Sequence, residues 1–300
     1  MIQKHMISLF QSKQEKIGVL LCLCTAVIMG LYPPMAKLAY DEGANIAFVV
    51  LLTTFMRFIA LYGFAKWQRQ KLFQTKRDVK LGFSAGFFQA CSIIGILGAT
   101  YFIPGSIVII IMFTYSLMLL FFSAWRGVYK LNKANIFLTF IALFGLAMVL
   151  DFFNQEITLN LIGIGLAIMS AFATFARIYI FGIHDKGKSP AVIGAETFMI
   201  AVIVLGLLSL WQTPIAPETA YGWMMASLSG LSLAIGSFGI FYGVALLGAY
   251  RFSMIAKLEP IFTALFGLLL LSEVLSVVQY VGMIVVIISL LSLQIFDKQK

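Results

Sequence analysis

Six ionisable side chains stand inside sequence that is otherwise soluble in lipid: Lys37, Arg57, Arg177, Glu196, Lys257 and Glu259. A charge at mid-bilayer costs roughly 2.5–3.5 kcal/mol on insertion scales, so each needs a partner, a wet cavity or a route to the surface. The densest group lies in AKLEPIFTALFGLLLLSE, Ala256 to Glu273, where Lys257, Glu259 and Pro260 are near neighbours. Depth sorts the six, because a helix rises about 1.5 Å per residue. Arg57 and Glu259 fall near the middle of their apolar runs, whereas Lys257 and Glu196 share a shallower level. The depths match in two opposite-charge combinations, Arg57 with Glu259 and Lys257 with Glu196. At least one of these is expected to pair in the absence of substrate, either as part of a binding or coupling site or as a buried pair that fixes helix register. Lys37 and Arg177 lie close to run ends, where a long side chain carries its charge to the interface; Lys37 is kept beside the others as a candidate for substrate binding.

The prolines sharpen this picture. Pro260 cannot donate to the carbonyl of Ala256 and crowds it, so the helix should bend there and leave an acceptor that survives only against protein or water. An acid withdrawn from water holds a proton more readily, which makes Glu259 the candidate for proton coupling. Pro33 and Pro34 should interrupt their helix in the same way, releasing carbonyls near Met29 and Gly30, as a gate or as a kinked helix end. Gln89 and Tyr242 are candidate polar liners of a cavity, or polar residues satisfied by a neighbouring helix. Ser272 and Glu273 read as a cap for the helix that follows.

The elements that must position these residues follow from composition. The chain has 300 residues, 61% hydrophobic and 11% charged, where a soluble domain has about 45–50% apolar and about 25% charged residues. Ten apolar runs, near 17–39, 46–66, 80–101, 104–125, 134–152, 159–182, 190–211, 222–247, 250–271 and 275–296, each approach the ~20 residues that a membrane-spanning helix needs. The expected class is an all-α polytopic membrane protein of ten transmembrane helices. An even number of spans puts both termini on one side. All of the 21 lysines and arginines except Lys37, Arg57, Arg177 and Lys257 fall on that side, while the opposite loops carry only acids, Asp41, Glu42, Asp151, Glu156, Glu218 and Glu273. The positive-inside rule then makes both termini cytoplasmic, in a cell (inner) membrane. The net charge of +9 thus encodes orientation rather than nucleic-acid binding. The basic N-terminal segment leads into an uncleaved first span, because no short apolar region with a small-residue cleavage site follows it.

Several chemistries are disfavoured. Cys22, Cys24 and Cys91 all lie in apolar runs, with neither a disulfide framework nor metal-ligand spacing, and no cofactor is implied. The histidines, His5 and His184, fall in polar cytoplasmic segments, and neither HExxH nor GxxxxGK[ST] occurs, which argues against a membrane-embedded enzyme and against ATP drive within this chain. The close glycines Gly82/Gly86, Gly95/Gly98 and Gly236/Gly239/Gly243 suit close helix packing.

A shift of about 144–145 residues lays Tyr101–Leu131 over Leu246–Leu275, and TAVIMGLYPPMAK in span one over SAFATFARIYIFG in span six. The chain therefore reads as two five-helix repeats, 1–152 and 153–300. Five is odd, so the second must be inverted relative to the first, the architecture of secondary transporters with a substrate site near the midplane. The run LEPIFTALFGLLLLSEVLSVVQYVGMIVVIISLL resembles the EamA branch of the drug/metabolite transporter superfamily in Glu259-Pro260, in Glu273 and in a tenth span bearing Gly282. Lys37 and Arg57 also stand at positions often basic in that family. Tyr115, Val128 and Ser272 depart from its usual proline, glutamate and glycine, so the motif is clear only in the second half. The resemblance implies ten helices and movement of small metabolites, often export. The expected function is a secondary carrier of a small polar or amphipathic metabolite such as an amino acid, with proton coupling open, acting as a monomer or homodimer. A lipid flippase and a membrane-embedded enzyme are the competing readings; a flippase would show a groove open sideways to lipid.

Overall fold

The computed structural model describes residues 13–128, 131–154, 160–183 and 188–296. His5, His184, Glu156 and the basic residues Lys4, Lys130, Lys186, Lys298 and Lys300 lie outside the described residues. Within them the chain is helical: α1 (Lys13–Gly30), α2 (Tyr32–Asp41), α3 (Ile46–Trp67), α4 (Lys76–Thr100), α5 (Gly105–Phe113), α6 (Tyr115–Trp125), α7 (Lys133–Val149), α8 (Leu161–Ile183), α9 (Pro190–Leu208), α10 (Ala220–Leu247), α11 (Ala249–Ile255), α12 (Glu259–Leu271) and α13 (Val277–Phe296). Eight stretches are long and apolar enough to cross a membrane, with α1–α2, α5–α6 and α11–α12 each counting as one. Two shorter apolar helices, α7 and α13, take the places expected for spans five and ten and pack against each other. Large apolar side chains such as Phe55, Ile59, Phe83, Phe87 and Phe140 point outward, as a lipid-facing surface requires.

Local sequence sets the helix ends. Thr75 and Asp78 form a reciprocal capping box at the start of α4, and the side chains of Asn45, Asn132, Ser189 and Thr219 accept from the first turns of α3, α7, α9 and α10. Gly248, at φ 81°, is the whole connection between α10 and α11, a conformation that favours glycine. The cap of α13 differs from the expectation. Ser276 and Gln279 supply it reciprocally, whereas Ser272 ends α12 in a left-handed turn and the Glu273 side chain turns back to Lys37, 3.4 Å away. The helix start falls four residues later than the acid, so Glu273 cannot reach the orphan N–H groups there.

Three spans are broken. The first breaks at Leu31, ahead of Pro33 and Pro34. The ninth breaks in a 3-10 turn, Ala256–Leu258, ahead of Pro260. The carbonyl of Ala256 is not left free as expected, because tightening to 3-10 geometry lets the Glu259 N–H donate to it. The fourth breaks at Thr114, between α5 and α6, without a proline, at the place that the repeat lays over the ninth-span break.

Packing obeys the repeat. Exchanging each span with its counterpart five later turns the α4–α8 contact into α10–α1, α4–α9 into α10–α3, and α5–α8 into α12–α1, while α3–α9 and α7–α13 map onto themselves. The strongest departure is at α9, which packs on α10, while their counterparts α3 and α4 hardly touch and instead each pack on α9. Small residues permit the closest approaches. A Cβ on Gly86 would stand 2.5 Å from Ile200 Cβ, and one on Gly239 would collide with Thr25.

Candidate functional site

A cavity of about 320 Å³ lies between the two halves, within the range of small-molecule sites. Its charged walls come from α3, α8 and the ninth-span break: Arg57, Arg177 and Glu259. Hydroxyls and one amide supply the rest of its polarity, but most hydroxyls are committed. Thr25 donates to Leu21 O and Thr54 to Val50 O, and Ser92 and Thr174 bond each other at 2.8 Å. The Oε1 of Gln89 is buried in the same wall and has no hydrogen-bond partner. Tyr32 and Tyr115 add their rings and phenol groups to the lining.

The arginines are held in an unusual way. The Arg57 guanidinium lies 5.2 Å from the centroid of the Phe198 ring, and that of Arg177 5.5 Å from the Phe181 ring. Phe241 sits between these two rings, 4.3 Å from Phe181 and 6.2 Å from Phe198. Three buried rings thus form a spine with a cation over each end. A ring face stabilises a desolvated cation by about 2 kcal/mol without consuming any N–H, and the Nε atoms of both arginines have no hydrogen-bond partner. No ion pair or hydrogen bond engages the carboxylate of Glu259 among the described residues, although Arg57 acts on it electrostatically. Two cations with donors in hand and one acid around a small void suit an anion or a zwitterion bound by charge-assisted hydrogen bonds.

The structure brings Arg57, Glu259 and Gln89 to one cavity, but neither depth-matched combination is an ion pair in this conformation. Arg57 is turned to Phe198. Lys257, fully buried, donates to Ser116 Oγ at 2.7 Å and to Met254 Sδ at 3.4 Å, so that it ties the ninth-span break to the helix that begins after the fourth-span break. Glu196 accepts from Phe73 N at 2.7 Å and lies 3.2 Å from Lys188, which also reaches Asp78 at 2.7 Å. Matched depth did not produce contact because Lys257 and Glu196 face different neighbours around their helix axes. Tyr242 leaves the cavity and bonds Ser189 at 3.1 Å. Lys37 is outside the cavity lining, half exposed and paired with Glu273, where a charge keeps most of its hydration. Pro33 lines the cavity; Pro34 and Pro260 are buried in packing.

Arg177 departs from the expectation of a route to the interface: α8 is packed among α4, α5 and α6, and the side chain lines the cavity. A signal was present: the repeat lays Arg177 over Tyr32, a wall residue of the same cavity.

A second feature gathers at the end of the bundle that holds the connection between α3 and α4. Asp78 and Glu196 are buried, and Lys188 bridges them with 13% of its side chain exposed. Gln70 accepts from Ser189 N, and Arg251 pairs with Glu15 at 2.7 Å. This polar lattice ties α4, α9 and the loops on that side to one another.

The sequence profile of the EamA-like transporter family matches the chain twice, over residues 16–151 and 160–294. No curated protein matches it. A solved structure described only as a crystal structure of a protein superposes with a TM-score of 0.74 over 91% of this chain and 96% of its own, at 13% identity, which shows a shared fold.

Proposed function

The chain belongs to the EamA-like transporter family, and from that membership we propose that it is a secondary carrier of a small amphipathic metabolite with an acidic or zwitterionic head group. The observation that carries this reading is the cavity between the halves, where Arg57 and Arg177 present unspent donors and Glu259 an unspent carboxylate. Charge-assisted hydrogen bonds from the guanidinium groups take an anionic group, and Glu259 takes a proton or the ammonium of a zwitterion such as an amino acid.

In this reading all ten apolar helices span the membrane, α7 and α13 included, and the two halves, 1–152 and 153–300, are inserted with opposite topology around the cavity. The basic loops place both termini in the cytoplasm. The Lys188 lattice is then the cytoplasmic seal, and the conformation is outward-facing. Its strongest departure from two-fold packing, α3 parted from α4 while α9 holds α10, fits a carrier open on one side. Transport exchanges that asymmetry, so that the lattice opens as α3 and α4 close. The direction of net flow is export, driven by the metabolite's own gradient or by protons taken up at Glu259.

The test is uptake into proteoliposomes from a mixture of amino acids and organic acids, comparing the wild type with Arg57→Gln and Glu259→Gln. Saturable uptake lost in Arg57→Gln is expected. Equal uptake by wild type and both variants would sink the assignment of the site.

A further inference from the structure

A second cavity of about 300 Å³ lies between α3, α4 and α9. It shares two wall residues, Val50 and Leu97, with the charged cavity. Both are apolar, and they stand where α3 and α4 hardly touch. Its walls are aliphatic, with Ile46, Leu51, Ile94 and Leu205 among them, and no charged residue lines it. At its mouth stand Tyr101, 71% exposed, and Trp211, 87% exposed, beside Gln212. Tyrosine, tryptophan and amide side chains are what a protein places at the level of lipid headgroups.

We propose that this cleft is the seat for the alkyl chain of an anionic amphiphile whose head group binds between Arg57 and Arg177, and that the chain gains or leaves its seat sideways, between α3 and α4, at the outer leaflet. This deepens the proposed function and rests on it. Two cations against one acid leave the central cavity with an excess of positive charge, which selects an anionic head. The adjoining void offers that head's chain an uncharged surface that a small polar metabolite would leave unused. A chain lying across Val50 and Leu97 occupies both compartments at once. The polar rim matches the level at which such a molecule rests in the membrane. The parting of α3 from α4 that makes room for the seat is not repeated at α9 and α10, which pack on each other. An amphiphile carried this way stays in contact with an apolar surface throughout.

The test measures affinity for straight-chain alkanesulfonates from two to eight carbons, by calorimetry, with the protein in nanodiscs. Sulfonates remain ionised throughout, and their partition into lipid is common to all variants. Burial of each added methylene should tighten binding by roughly fourfold beyond ethanesulfonate. Ala47→Trp and Leu208→Trp fill the cleft from opposite walls without touching the central cavity. Both should keep ethanesulfonate binding, which reports the fold and the head-group site, and lose the dependence on chain length. A dependence in the variants equal to the wild type would overturn the proposal, as would its absence in the wild type because a bilayer lipid chain fills the cleft. Failure of the wild type to bind ethanesulfonate, or binding unaffected by Arg57→Gln, would instead sink the head-group site and this inference with it.

Discussion

In the proposed carrier cycle, replacing Lys188 by methionine should shift the equilibrium from the outward-facing to the inward-facing conformation. The ammonium is the cation between two buried carboxylates, 2.7 Å from Asp78 and 3.2 Å from Glu196, and only 13% of its side chain reaches solvent. Methionine fills similar volume but takes from both acids the ammonium they share. Breaking a buried pair in this way costs about 3–5 kcal/mol. Thr75 and the Phe73 N–H still serve the two carboxylates, so the lower figure applies. When the cytoplasmic end opens, both acids reach water and the penalty vanishes. It therefore bears on one conformation alone, and about 3 kcal/mol moves the equilibrium roughly a hundredfold. The assay is labelling of Thr53→Cys, in the cavity wall, by an impermeant maleimide on a background without Cys22, Cys24 and Cys91. The parent should react from the outside and the Lys188→Met variant from the cytoplasmic side. Adding Glu196→Gln removes one of the two buried carboxylates and should return much of the reactivity to the outside. Unchanged sidedness in Lys188→Met, or no recovery with the second change, would refute the reasoning.

Other outcomes follow from the same geometry. Phe241→Leu removes the ring between Phe181 and Phe198 and should weaken substrate binding about threefold to thirtyfold, read as a rise in KM for uptake, because both guanidinium groups lose a firm bed. Glu259→Gln should abolish the response of uptake to an imposed pH gradient while leaving exchange of substrate measurable; an unchanged response removes Glu259 from coupling. Gly86→Val puts a branched side chain where Ile200 Cβ and Thr197 O already stand, and should lower thermal stability by several degrees in detergent, with Gly63→Val, at a site with open space, as the neutral control. Lys37→Ala should cost less than about 1 kcal/mol of stability and leave uptake unchanged, since the pair with Glu273 is solvent-exposed.

The comparison of sequence with structure is clearest at single residues. Pro260 and the Pro33-Pro34 pair announced two of the three helix breaks, because a missing N–H and a ring clash act locally whatever the fold. The break at Thr114 had no such mark and no sequence expectation, although the repeat lays it over the ninth-span break. Depth pointed to Glu259 and Arg57 and polarity to Gln89, and all three line the one cavity. Tyr242 passed the same polarity test and faces Ser189 instead. The Phe181–Phe241–Phe198 spine was invisible, since 28 phenylalanines in apolar runs carry no sign of which three will stack.

Composition determined that the chain is a bundle of membrane-type helices, the basic residues supplied its expected orientation, and a weak internal repeat indicated two equivalent halves. These are properties of sums and of position along an axis, and sequence records both. Tertiary structure decided which charges meet. Rise per residue fixes how deep a side chain sits, but not the direction in which it points once its helix has rotated to pack. Lys257 therefore went to Ser116, Glu196 to Lys188, and Arg177 from a supposed interface to the centre of the protein.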